Sequence, residues 1–281
     1  GGIGTRMYPA TKSINKQLLP LLDKPMFFYP LSILMLCGIK NFLFIINKGQ
    51  KKNFTKIIGP TKDLGINIQY KEQLKPNGLP EAFSLGKKFI GNDPVIMTLG
   101  DNFFYGSMIS PLLKKSFNMN EGANIYLYPS KNTSSYGVVE LNKNGTIKKI
   151  IEKPVFTKSN LVITGLYAFD SNVVNCIKNL KPSLRNELEI VDLINIYKRK
   201  KKLNLIKLGR GTAWMDVGSY EDLYSASSFI KNIEDRQNYK IGCLEEISFN
   251  NKWITKKNIL NRIKFNRNSN YSKYLETLII Q

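Results

Sequence analysis

Short apolar runs alternating with helical patterns constrain the architecture of this chain more than any other feature. Residues 41–46 (N-F-L-F-I-I) and 94–99 (P-V-I-M-T-L) are continuously apolar, which suits strands covered on both faces. Around them, 26–37 (closed by Gly38), 51–58 (closed by Gly59-Pro60) and 79–90 read as helices, while 66–70 alternates like a strand. Strands and helices alternating at this spacing predict an α/β fold: a Rossmann-like open, mostly parallel mixed sheet flanked by helices. The second half is richer in strands, over 124–128, 138–141, 147–152, 161–169 and 203–208, with Asn142-Lys143-Asn144-Gly145 as a hairpin turn. Helices are expected over 171–180, 187–201 and 220–233. From 239 the pattern is helical and polar with no new strand, so we expect an α/β domain over 1–238 and a C-terminal helical appendage over 239–281.

Composition removes several kinds of chemistry. Among 281 residues there is no histidine, which excludes Ser-His-Asp and Cys-His catalysis and His-ligated metals. Cys37, Cys176 and Cys243 are far apart and odd in number, as expected of buried thiols in a reducing cytoplasm rather than of a disulfide framework or zinc site. The net charge of +21 raises the question of a nucleic-acid partner. The charges are dispersed, however, and the densest run, Lys198 to Lys202, falls where a helix should end and its dipole favours cations. We therefore expect no nucleic acid. The longest apolar run, 26–37, is too short to span a bilayer, so no membrane role is expected either.

The richest stretch is the first seventeen residues, Gly1-Gly2-Ile3-Gly4-Thr5-Arg6 followed by Lys16-Gln17-Leu18-Leu19-Pro20. Closely spaced glycines let backbone N–H groups approach an anion, Arg6 adds a guanidinium fork and Lys16 a mobile charge. A plain turn is the alternative; the added Arg6 and Lys16 favour a polyphosphate cradle. Asp101 ends the apolar run at 94–99, and Asp216 lies in Trp214-Met215-Asp216-Val217-Gly218. A carboxylate in apolar company is costly unless bound, and Mg²⁺ takes few carboxylates plus phosphate oxygens; a helix cap or turn is the competing explanation. In the loop 72–80, Gln73 offers a donor and an acceptor to a pyrimidine edge and Gly78 permits close backbone approach. Glu152-Lys153 closes a strand and could serve a sugar hydroxyl and a sugar phosphate, or be an ordinary surface pair.

The G-G-x-G-T-R and K-Q-L-L-P segments, with Asp23-Lys24-Pro25-Met26 and Tyr29-Pro30-Leu31, resemble the sugar nucleotidyltransferases, in particular the glucose-1-phosphate thymidylyltransferase branch. The tail over 234–247 resembles that branch too. The resemblance implies the nucleotide-diphospho-sugar transferase fold, with a first strand missing ahead of Gly1. It implies an enzyme that makes dTDP-glucose and pyrophosphate from dTTP and α-D-glucose 1-phosphate by Mg²⁺-dependent in-line displacement at the α-phosphorus. Arg6, Lys16, Asp101 and Asp216 would then be catalytic, the two aspartates holding Mg²⁺. Gly1, Gly2, Gly4, Thr5, Arg6, Lys16, Gln17, Gln73, Gly78 and Asp101 would bind the nucleotide. Asn102, Gly137, Glu152, Lys153, Val162 and Gly165 would bind the sugar phosphate, with 187–190 beneath the sugar. It further implies a cytoplasmic homotetramer with a second, regulatory nucleotide site, feeding dTDP-rhamnose and surface polysaccharide. Rival expectations are the same chemistry with UTP or another hexose phosphate, and a non-catalytic nucleotide-binding regulatory subunit.

Overall fold

A computed structural model describes residues 4–264 and 267–280, so Gly1 and Gly2 of the expected cradle lie outside the described residues. Three 3₁₀ turns between Thr5 and Leu18 lead into β1 (Pro20–Leu21) and β2 (Lys24–Pro25), then α1 (Phe28–Leu36), β3 (Asn41–Asn47), α2 (Lys51–Ile58) and β4 (Asn67–Gln73). There follow α3 (Glu81–Leu85), α4 (Lys87–Ile90), β5 (Val95–Thr98), β6 (Asn102–Tyr105), α5 (Ile109–Phe117), β7 (Ala123–Pro129), β8 (Gly137–Leu141), β9 (Ile147–Glu152) and β10 (Leu161–Phe169). The chain continues through α6 (Val173–Cys176), α7 (Ile190–Arg199), β11 (Leu203–Lys207) and β12 (Ala213–Asp216), and closes with α8 (Tyr220–Gln237), α9 (Leu244–Asn250), α10 (Lys256–Ile263) and α11 (Asn270–Ile280).

Two compact units result. The first comprises residues 1–74, 100–104 and 215–281; the second comprises 75–99 and 105–214. In the first, β3 and β4 run parallel in register from Asn41↔Asn67 to Asn47↔Gln73, which puts Gln73 at the carboxyl end of a strand. Helix α1 is buried from Phe28 to Met35 because it is apolar all round, and Gly38 at φ 89° stops it. The C-terminal helices have their own core of Cys243, Ile254, Ile259, Ile263 and Leu275. Lys24, only 3% exposed, is held by Asp23 and by Glu234 Oε1 at 3.3 Å, while Lys240 bonds Asp23 Oδ2 at 2.8 Å and Glu234 Oε2 at 2.7 Å. This four-charge network satisfies ions that would otherwise be costly to bury.

The second unit is built on a sheet in the order β11-β7-β10-β8-β9, with β5 also on β10. Its core gathers Phe83, Ile125, Leu127, Ile163, Phe169, Leu193 and Tyr197. The sheet is mixed, as expected, but it is not mostly parallel: β7–β11 is parallel, while β10 pairs antiparallel with β5, β7 and β8, and β8 with β9. An apolar run does not report strand direction; β10 is buried at every position after Leu161 and still has antiparallel neighbours. The turn at Asn142–Gly145 makes the β8–β9 hairpin, with Asn142 N–H donating to Thr146 O at 2.8 Å. β3 and β5 depart from expectation in cover: in β3 only Phe42 and Ile46 are buried, and β5 is half-buried at every position.

Helix limits shift for local reasons. Gly86 divides the expected helix at 79–90 into α3 and α4. The helix expected over 187–201 begins only at Ile190, because Leu188 is extended and bridges to Gly78. The expected helix at 171–180 contracts to α6 and one 3₁₀ turn. The lysine-rich run sits at the end of α7, as expected, and the three cysteines are buried and unpaired with one another.

Candidate active site

In the first unit, Arg6, Lys16, Asp101, Asn102 and Asp216 come together. The loop 4–19 is folded back on itself: Gly4 adopts φ 71°, and a Cβ there would come within 3.2 Å of Lys16 Cβ. Thr11 Oγ1 donates to Gly4 O at 2.8 Å, and Tyr220 Oη of α8 donates to Met7 O at 2.8 Å. Asn15 Oδ1 caps the turn that carries Lys16 by accepting from Gln17 N–H at 3.1 Å. Gln17 in turn packs on Gly100, where a Cβ would collide with its Cγ at 2.8 Å. Lys16 is thereby buried, and its Nζ donates to Asp101 Oδ2 at 2.7 Å.

Asp216 arrives on β12, which pairs with β6 immediately after Asp101. Val217 N–H donates to Asp101 O at 2.9 Å, locking the two segments side by side. A capping box between Ser219 and Asp222 then starts α8. The amide of Asn102 joins the carboxylates: its Nδ2 donates to Asp101 Oδ1 and to Asp216 Oδ1, each at 3.1 Å. Burial and the charge of Asp101 push the Asp216 carboxyl up to about 6, with Lys16 and Arg6 pulling the other way. Arg6 is exposed and lies against Gly218, where a Cβ would come within 2.9 Å of its Nη2. No hydrogen bond ties its guanidinium to another described residue.

This donor set fits a hard divalent cation. It offers two adjacent carboxylates and no soft ligand, and the strain on Asp216 is that of a site short of positive charge. Among the described residues there is no group of three or more acidic, Cys or His ligands, so a cation here would take its other oxygens from substrate and water. Arg6 and Lys16 add the positive charge that a polyphosphate needs.

The second unit holds a separate set. Gly137 and Glu152 are cross-strand partners on β8 and β9, and a Cβ on Gly137 would lie 3.6 Å from Glu152 Oε2. Burial and the neighbouring Glu189 raise the Glu152 carboxyl above its usual range, only partly offset by Lys153 and Arg185. Lys153 adopts φ 43°, a left-handed conformation uncommon for a side chain of its size, with Nζ 4.0 Å from Glu152 Oε1. The sequence reading missed Arg185. Its guanidinium grips Glu189 at both oxygens, Nε to Oε1 at 3.2 Å and Nη2 to Oε2 at 2.7 Å, and reaches Glu152 Oε1 at 3.3 Å. The i, i+4 spacing of Arg185 and Glu189 was the one cue available.

A family model for nucleotidyl transferase matches residues 1–233. The chain belongs to the nucleotidyl transferase family. This nucleotidyl transferase is 43% identical over 279 residues to a glucose-1-phosphate thymidylyltransferase of Neisseria meningitidis, covering 99% of this chain and 97% of that one. It is 40% identical to one of Mycobacterium tuberculosis, covering 99% and 96%. Among solved structures, a Bacillus anthracis protein assigned as a glucose-1-phosphate thymidylyltransferase and solved with sucrose matches with a TM-score of 0.75 at 34% identity, over 82% of this chain and 92% of that one. A UDP-glucose pyrophosphorylase solved with UDP-glucose matches with a TM-score of 0.68 at 25% identity, over 83% and 96%. The fold is therefore the nucleotide-diphospho-sugar transferase α/β fold.

Within the transferase, the remaining expected residues are placed as follows. Thr5 is exposed in the first 3₁₀ turn, and Gln73 is buried at the end of β4. Gly78, at φ 99°, is accounted for by packing: a Cβ there would strike Leu188 O at 2.0 Å. The Val162 side chain is wholly buried, which leaves its main chain for any ligand. Gly165 O accepts from Leu99 N–H at 2.9 Å, inside the irregular register of β10. Asn102 belongs to the carboxylate pair of the first unit, whereas Gly137, Glu152, Lys153, Val162 and Gly165 lie in the second.

Proposed function

We propose that this nucleotidyl transferase joins α-D-glucose 1-phosphate to the α-phosphorus of dTTP, releasing pyrophosphate and forming dTDP-glucose. The observation that carries the reading is the half-buried pair Asp101 and Asp216, bridged by Asn102 and flanked by Lys16 and Arg6. The substrates follow from the names of relatives that align over 99% of the chain. The attacking sugar-phosphate oxygen is already an anion, so no general base is required, in keeping with a chain that has no histidine. The work left to the protein is positioning and charge neutralisation.

Arg6 and Lys16 would hold the triphosphate and the departing pyrophosphate, with the backbone of Gly1, Gly2, Gly4 and Thr5 and the side chain of Gln17 beside them. Gln73 would read the base, with Gly78 in the following loop. Gly137, Glu152, Val162 and Gly165 would receive the hexose and Lys153 would pair with its phosphate; Asn102 is also assigned to the sugar phosphate. Asp101 and Asp216 would hold Mg²⁺, which when bound supplies positive charge to the phosphate oxygens. We also infer a domain boundary near 238, a homotetramer with a second nucleotide site, and a cytoplasmic location; no helix among the described residues is long and apolar enough to cross a membrane.

The test is pyrophosphate release across dTTP, UTP, dCTP and ATP with several hexose 1-phosphates. We expect dTTP with glucose 1-phosphate to lead; a clear preference for UTP would overturn the base assignment. Asp101→Asn and Asp216→Asn should each lower turnover at least about 100-fold, the scale of a lost charge-stabilising group. Full activity in excess chelator would remove the metal from the reading.

A further inference from the structure

We propose that Lys16 is a stand-in cation: it pairs with Asp101 and gives way when a polyphosphate offers it a second anion, so that a divalent metal is admitted with the nucleotide rather than before it. The proposal rests on the reading of Asp101 and Asp216 as metal-binding carboxylates. Both oxygens of Asp101 are engaged, Oδ2 by Lys16 Nζ at 2.7 Å and Oδ1 by Asn102 Nδ2 at 3.1 Å. A metal ion on Asp101 would sit beside the Lys16 ammonium, and like charges that close repel strongly where water is scarce. A metal binding alone therefore competes with Lys16 for Asp101.

Displacing Lys16 is costly, because it is only 7% exposed and, among the described residues, Asp101 is its one hydrogen-bond acceptor. A buried ammonium stripped of its partner is destabilising. A triphosphate removes the penalty by offering Lys16 a second anion. Metal and nucleotide should thus assist one another, and by linkage the assistance is mutual. Asn102 confines the exchange to one side chain. Its amide donates to both carboxylates, which keeps Asp101 and Asp216 converged while the flexible stem of Lys16 swings.

The sign of the resulting prediction is unusual: removing a cation that serves the nucleotide should tighten metal binding. Mn²⁺ is titrated against the wild type, Lys16→Met, Lys16→Gln and Asp101→Asn, followed by electron paramagnetic resonance, with and without the α,β-methylene analogue of dTTP. Without nucleotide, both Lys16 variants should bind Mn²⁺ at least about fivefold more tightly than wild type, the lower end of ordinary coupling between sites. The analogue should improve Mn²⁺ binding in the wild type and much less in those variants. The proposal is overturned if the Lys16 variants bind Mn²⁺ no better than wild type while Asp101→Asn abolishes binding. If Asp101→Asn leaves Mn²⁺ binding intact, the metal-site reading itself fails and takes the proposal with it. Thermal unfolding of each variant separates an altered site from a misfolded one, and either Lys16 variant suffices.

Discussion

Glu152 stands between opposed influences. Burial and Glu189 favour its neutral form, while Lys153 and Arg185 favour its charge. If Glu152 receives the hexose as proposed, its ionised form is the stronger acceptor for sugar hydroxyls, so KM for the sugar phosphate should rise as pH falls towards the acid range. Arg185→Ala, which removes one stabilising charge, should move that rise to higher pH while leaving KM for dTTP nearly unchanged. A profile identical to wild type would deny Arg185 this role. Lys153→Ala should raise KM for glucose 1-phosphate and cut kcat/KM about 10- to 150-fold, the value of one charge-assisted hydrogen bond. Lys153→Met should match it if charge is the cause. Near-wild-type kinetics in Lys153→Met would return Glu152-Lys153 to an ordinary surface pair. At this scale the sequence was informative where residue type and chain position agreed. Asp101 follows an apolar run and Asp216 sits in apolar company, and both are costly without a partner. The spacing of Arg185 and Glu189 hinted at a pair, but the link of Arg185 to Glu152, distant in sequence and brought close by β9, could not be seen in advance.

Elements were legible where the apolar pattern is regular and bounded by turn residues, and less so where backbone meets backbone. α2, β9 and β10 occupy the spans their patterns imply. The late start of α7 was not foreseeable, because the extended stretch before it is held by a bridge between Gly78 and Leu188. Gly78 offers a sharp check. Its φ of 99° disfavours any side chain, and an added Cβ would overlap Leu188 O at 2.0 Å. Gly145 in the β8–β9 turn also has positive φ, 81°, but nothing lies within 4 Å of its absent Cβ. Gly78→Ala should therefore cost clearly more than Gly145→Ala, which carries only the backbone term of about 1–3 kcal/mol. Urea unfolding of both variants decides it; equal losses would show that the loop yields freely around Leu188.

For the molecule as a whole, the ionic network around Lys24 sets an acid limit. Burial alone would raise the Asp23 carboxyl, but Lys24 and Lys240 outweigh it and hold it below its usual value of 3.8. A depressed carboxylate stabilises the fold at pH above the unfolded value and loses that contribution as pH falls through the folded one. The stability advantage of wild type over Asp23→Asn should accordingly be constant near neutrality and shrink below about pH 4. An advantage that grows on acidification would contradict the network. Light scattering at micromolar concentration tests the proposed homotetramer, and a monomer would contradict it. The excess of positive charge, prominent in composition, marks no single face in the sequence, and its densest run ends α7. The three buried thiols, finally, make the chain its own reporter. Cys37 and Cys243 lie in the first unit and Cys176 in the second, and none is more than 7% exposed. A maleimide pulse read by mass spectrometry would therefore time the opening of each unit separately, with no label introduced and no residue changed.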